Sequence, residues 1–126
     1  MTVLKIDIDY KPNDVYEFSA KFADKLNFIQ KFLGITVEYV EVYETEKGFH
    51  IYVYISEEID DPKLIIILQL ALGSDYKREL FNYTRANTTN WKGEWNVLFK
   101  TKKGKINERI TLKAKIISRI INCRID

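Results

Sequence analysis

Two short segments bring together side chains that could do chemistry. Val3-Leu4-Lys5-Ile6-Asp7-Ile8-Asp9 ends in Asp-x-Asp, and Thr45-Glu46-Lys47-Gly48-Phe49-His50-Ile51-Tyr52-Val53 carries the one histidine of the chain. Side chains alternate along a strand, so Asp7 and Asp9 share a face if their segment is extended. Paired carboxylates are hard oxygen ligands of the kind that suit Mg2+ or Mn2+. Such a cation neutralises phosphate charge and activates a hydroxyl or a water. Asp7 and Asp9 are therefore the candidate metal ligands, and His50, which could donate a hydrogen bond to phosphate, is the candidate catalytic residue. Lys100, Lys102, Lys103 and Arg109 could hold a phosphate backbone, and Tyr52 and Tyr54 could stack bases. A plainer reading stays open: a solvated sheet face, an inter-strand histidine, and tyrosines that a second copy of the chain would cover in a homodimer.

These residues need strands to carry them. Thr2 to Asp9 alternates, with Leu4, Ile6 and Ile8 on one side. Pro12 and Asn13 stop that strand, and Asn13 is placed to cap a helix over 14–33 whose apolar positions run Val15, Phe18, Phe22, Leu26, Ile29 and Leu33. Gly34 closes it. Ile35 to Tyr43 reads as a second strand with a change of parity near Val40, the sign of a bulge. After a loop over 44–48, Phe49 to Ser56 is a third strand with Phe49, Ile51, Val53 and Ile55 inward and His50, Tyr52 and Tyr54 outward. Asp61-Pro62 reads as the N-cap and first residue of an almost wholly apolar helix that Gly73 ends. Ser74 is placed to cap a helix over 75–86. A polar loop over 87–93 with Trp91, a fourth strand over 94–101 with Trp95, Val97 and Phe99 on one side, a basic turn over 102–105 and a helix over 106–123 complete the chain. The order predicts an α+β domain over residues 1–126, a ferredoxin-like or RNA-recognition-type split βαββαβ with an open antiparallel sheet and an extra C-terminal helix. That fold sets the first and third strands side by side, which would put Asp7, Asp9 and His50 on one face.

Composition narrows the class. A chain of 126 residues, 46% hydrophobic and 30% charged, is an ordinary globular domain. The single Cys123 excludes an internal disulfide, and one His with one Cys cannot supply a standard structural zinc site. Asp7 and Asp9 interrupt any signal-peptide core, and the longest apolar stretch, Leu64 to Leu72, is too short to cross a membrane, so a cytoplasmic protein is expected. Low Gly and Pro with abundant Ile, Lys and Tyr fit a thermophilic source, against which the asparagine content weighs. Residues 1–75 carry 7 basic and 14 acidic side chains, a net −7, whereas residues 76–126 carry 13 and 4, a net +9. The basic half could face a polyanion such as DNA or RNA, or be a solvated helix face. Lys47-Gly48-Phe49 begins like the RNA-recognition signature, which fails at Ile51 where an aromatic is required.

The hydrophobic-Asp-x-Asp strand and the Thr-x-x-Gly-x-His strand resemble motifs of the archaeo-eukaryotic primase superfamily. The resemblance implies metal binding by Asp7 and Asp9 and phosphate contact by His50. Thr45 and Gly48 stand at the Ser and second Gly of Ser-Gly-x-Gly-x-His, and Glu46 stands at the first Gly. A third metal-binding acid is implied, with Asp60, Asp61 and Asp75 as candidates. The middle of the chain is also similar to small proteins of archaeal viruses and plasmids: Gly48-Phe49-His50, Leu72-Gly73-Ser74-Asp75-Tyr76-Lys77-Arg78, and Asn96-Val97-Leu98-Phe99-Lys100. Together these imply a small nucleic-acid-associated viral or plasmid protein in the host cytoplasm, with a minimal or degenerate primase-like site. The alternative is a non-catalytic dimeric binding or assembly module that uses the open sheet.

Overall fold

Alternation along the first segment buries Thr2, Leu4, Ile6 and Ile8 and gives strand β1 (Thr2–Ile8) in the computed structural model, which describes residues 1–88, 94–102 and 104–126. Trp91 and Lys103 lie outside the described residues. Helix α1 (Val15–Leu33) follows. Its cap is Asp14 rather than the expected Asn13, because the Asp14 carboxylate accepts the Tyr16 and Glu17 N–H groups at 3.0 and 3.1 Å. Gly34 ends α1 at φ 66°, a left-handed position that costs glycine nothing.

Strands β2 (Val37–Glu44) and β3 (Phe49–Ile55) form an antiparallel hairpin, and β1 adds to the other side of β3. The sheet order is β1-β3-β2, all antiparallel. Val37 pairs with Ile55 and Tyr39 with Tyr54, so Glu38 is the extra residue of a bulge that accounts for the change of parity. The inner face carries Leu4, Ile6, Ile8, Phe49, Ile51, Val53 and Ile55 against Phe22, Leu26 and Ile29 of α1. Fully burying one such side chain is worth about 1.5–3 kcal/mol, and the shared core holds the helices on this face.

Helix α2 (Pro62–Ala71) packs on β1, capped by Asp61, whose side chain accepts the Lys63 N–H at 3.0 Å. Helix α3 (Tyr76–Ala86) is capped by Asp75, one residue later than expected, because the Ser74 hydroxyl is engaged elsewhere. The last helix, α4 (Leu112–Arg124), packs on α1 and β2 through Ala114, Ile117 and Ile121. It starts at the Thr111 cap, six residues after the expected start, and Ile106 and Ile110 are exposed instead of joining its apolar stripe.

The α+β class and a β1-β3-β2 sheet compatible with a ferredoxin-like arrangement are present, but among the described residues no fourth strand joins that sheet. Residues 94–100 are irregular, and only a two-residue hairpin forms there, β4 (Thr101–Lys102) with β5 (Lys105–Ile106), turned at Gly104. Asn96 and Leu98 are buried and Phe99 is exposed, the reverse of the expected parity. The physical reason lies at the free edge of β1, whose polar groups are already taken. The Lys5 N–H donates to Gln69 Oε1 at 2.9 Å and the Asp7 N–H to Ser74 Oγ at 3.0 Å. The Lys5 carbonyl accepts from Arg78 at 2.7 Å, and the Asp7 carbonyl accepts the Asp75 N–H at 2.7 Å. Gln69 of α2, Arg78 of α3 and the Ser74-Asp75 junction between them thus do the edge-covering that a fourth strand would do. No helix among the described residues is long and apolar enough to cross a membrane.

Candidate functional site

Asp7 and His50 sit directly opposite each other on β1 and β3. His50 Nε2 is 3.6 Å from Asp7 Oδ1, and His50 Nδ1 is 2.8 Å from Glu108 Oε2. The Tyr52 hydroxyl donates to that same Glu108 oxygen. The imidazole therefore lies between two carboxylates, one from the sheet and one from the segment that precedes α4. Two anchors hold that segment. Glu44 and Arg109 exchange backbone hydrogen bonds of 2.8 and 2.9 Å, and the N–H groups of Asn107 and Glu108 both donate to the Lys100 carbonyl, at 2.7 and 3.2 Å. The Glu44 carboxylate accepts from Lys11 and from the Thr111 hydroxyl, each at 2.6 Å, and these bonds hold its pKa below the usual carboxylate range.

The face expected to be open is therefore covered around His50, which is 4% exposed, and Tyr52, which is 7% exposed. Burial raises the Asp7 carboxyl above the usual range, His50 and Arg78 oppose the shift, and the charges of Asp9 and Asp75 add to it.

Asp7, Asp9 and His50 all line one cleft of about 540 Å³. Asp9 is exposed, just past the end of β1. Among the three candidates for a third acid, Asp75 lines this cleft, while Asp61 caps α2 and Asp60 does not reach it. The carboxylate of Asp75 is also spent on a cap, accepting the Arg78 N–H at 3.4 Å. Among the described residues no group of three or more His, Cys, Asp or Glu side chains is arranged to hold a metal ion. The opposite charge is present as well, from Lys47, Lys77 and Arg85. Two aromatic rings, Phe81 and Phe99, are 64% and 66% exposed along the same cleft.

The motif residues Thr45 and Gly48 build the loop that delivers His50. The Gly48 N–H donates to Thr45 Oγ1 at 3.1 Å, and the Thr45 N–H donates to the Gly48 carbonyl at 2.9 Å. A Cβ on Gly48 would stand 1.8 Å from the Ile8 carbonyl oxygen, so only glycine lets the loop close against the end of β1.

The other expected contacts lie elsewhere. Tyr54 stacks on Tyr39 with ring centroids 4.3 Å apart and donates its hydroxyl to Glu41. Tyr52, Tyr54 and Lys100 line a second cleft with Lys5 and Glu94. Lys102 lies in the backbone of β4. Arg109 is exposed and outside both clefts, its backbone bound to Glu44.

Sequence reasoning missed Glu108 and a buried polar network beside the cleft. Glu79, 1% exposed, accepts from Gln69 Nε2 and Ser74 Oγ at 2.7 Å, from Asn82 Nδ2 at 3.0 Å, and from Arg78. Asn96 accepts from Arg78 at 2.8 Å and donates to Gln69 at 2.8 Å, while Arg78 Nε donates to the Val97 carbonyl at 3.0 Å. Among the described residues no buried side-chain nitrogen or oxygen lacks a partner. The available signals were Gln69 inside an apolar helix and the three-residue spacing of Glu79 and Asn82 on the face of α3. No family model matches the chain, and neither a curated protein nor a solved structure matches it.

Proposed function

We propose that the cleft holds one nucleotide unit of a single-stranded nucleic acid, and that the protein acts by binding rather than by catalysis. The observation that carries this reading is the pair of exposed rings, Phe81 and Phe99, on a cleft shared with Lys47, Lys77 and Arg85. Exposed phenylalanines offer π-faces to bases of any sequence, and lysines offer charge to phosphates. Lys77 Nζ lies 6.0 Å from the centre of the Tyr76 ring, which adds an aromatic surface beside the charge. Lys77 and Arg85 belong to residues 76–126, which carry a net +9, so this wall of the cleft lies in the basic half of the chain. Asp7 and Asp9 then serve as acceptors for sugar hydroxyls or base amino groups. The association with DNA or RNA expected from the viral and plasmid resemblance is retained; its primase-like chemistry is not needed.

Fluorescence anisotropy with a labelled oligothymidylate tests the reading. Stacking is worth about 1–3 kcal/mol per base, so Phe81→Ala and Phe99→Ala should each weaken binding by roughly five- to 150-fold. Mn2+ should leave both affinity and melting temperature unchanged. An oligonucleotide that fails to bind at low salt refutes the proposal. A Mn2+-dependent rise in melting temperature that Asp7→Asn/Asp9→Asn abolishes would return the site to the primase-like reading.

A further inference from the structure

The two ring nitrogens of His50 meet different surroundings. Nδ1 faces Glu108 at 2.8 Å, and Nε2 faces Asp7 at 3.6 Å; Asp7 and His50 both line the cleft, and Glu108 does not. The side chains of His50 and Glu108 are 6% and 8% exposed, so solvent does not compete strongly for this contact. Tyr52 donates to the Glu108 oxygen that also meets Nδ1. Burial first, and then the bond to Glu108 and its charge, push the Tyr52 phenol far above its ordinary pKa, so it remains a donor. An ionised carboxylate only accepts, and Nδ1 must therefore carry a proton to bond it. In the neutral ring Nε2 then carries the lone pair and can accept a hydrogen bond.

Other groups around the ring fit this assignment. Tyr43 is opposite His50 on β2, Tyr52 is beside it on β3, and Asp7 on β1 is itself reached by the charges of Arg78, Asp9 and Asp75. The backbone of Glu108 is fixed from both sides, through the Lys100 carbonyl and the Glu44–Arg109 bridge.

We propose that Glu108 is the positioning residue of His50: it holds the neutral imidazole in its Nδ1–H form and aims Nε2 into the cleft, where a bound nucleotide unit meets it. The ligand contact rests on the cleft-binding reading; the ring's proton placement does not. His50 is the only histidine, so its ring signals in long-range 1H–15N spectra need no assignment.

Without ligand, wild type should show the Nδ1–H form at a pH where the ring is neutral. Tyr52→Phe and Glu108→Gln should keep it, since the Gln side-chain oxygen can still accept from Nδ1. Glu108→Ala should reverse it to Nε2–H. Oligothymidylate should shift the Nε2 signal and leave Nδ1 nearly in place. A wild-type ring in the Nε2–H form overturns the proposal whether or not Glu108→Ala folds, and so does an Nδ1–H form that survives Glu108→Ala. An Nδ1–H form lost in Glu108→Ala but unmoved by the oligonucleotide upholds the positioning role and refutes the cleft-binding reading.

Discussion

Asp7 is held at an energetic disadvantage. Its carboxyl pKa is raised chiefly by burial, above the 3.8 of a free aspartate, despite the neighbouring His50 and Arg78. A raised folded-state pKa means the fold prefers the protonated form, so the stabilisation is complete below the unfolded-state pKa and is lost as pH rises through the folded one. Asp7→Asn has no proton to lose. It should therefore melt above wild type at neutral pH, with the gap closing as pH falls below about 4. Melting curves across pH check this, and a variant less stable than wild type at pH 7 would show that the ionised carboxylate is stabilised by its neighbours after all. At this scale the sequence was informative where chemistry is local: Asp7, Asp9 and His50 do share one cleft. Glu108 was illegible because it lies 58 residues from His50 and reaches it from irregular chain, which has no period to read.

The elements were legible wherever hydrophobic period decided them. All three strands of the main sheet and α1, α2 and α3 stand close to their expected positions. The fourth strand failed for a reason that lies outside its own segment. Alternation over 94–101 looked like a strand, but a strand needs a free edge to join, and that edge of β1 is occupied by Gln69, Ser74 and Arg78. Competition of this kind cannot be seen from within the segment itself. The network that replaces the strand has Glu79 at its hub, paired with an Arg78 side chain only 9% exposed. Removing one member of a buried ion pair leaves the other charge uncompensated, at a cost of about 3–5 kcal/mol. Glu79→Ala should lose that amount in urea unfolding and should also release the β1 edge, so amide exchange at Lys5 and Asp7 should accelerate more than at Ile51 and Val53, whose strand is paired on both sides. A loss below 1 kcal/mol with unchanged exchange would mean that the Asn96–Val97–Leu98 segment covers the edge without the network.

Across the whole molecule, the acidic and basic halves of the chain meet at the cleft. Asp7, Asp9, Lys47 and His50 come from the half with net −7, and Lys77, Phe81, Arg85 and Phe99 from the half with net +9. Overall charge is only +2, so long-range attraction to a polyanion is weak and local contacts must set the affinity. Salt separates the two kinds of contact. Each phosphate neutralised on a single strand contributes about −0.7 to the slope of log K against log salt. If Lys47 and Lys77 each meet one phosphate, they contribute about −1.4 together, and Lys77→Ala should make the slope shallower by about 0.7. Phe81→Ala should behave differently, lowering affinity by a similar factor at every salt concentration, because stacking releases no counterions. Anisotropy titrations between 50 and 200 mM salt on wild type and the two variants distinguish these effects. A slope that Lys77→Ala leaves untouched would remove phosphate from this wall of the cleft. A slope that Phe81→Ala changes as much as Lys77→Ala would mean that the ring orders the basic residues instead of receiving a base.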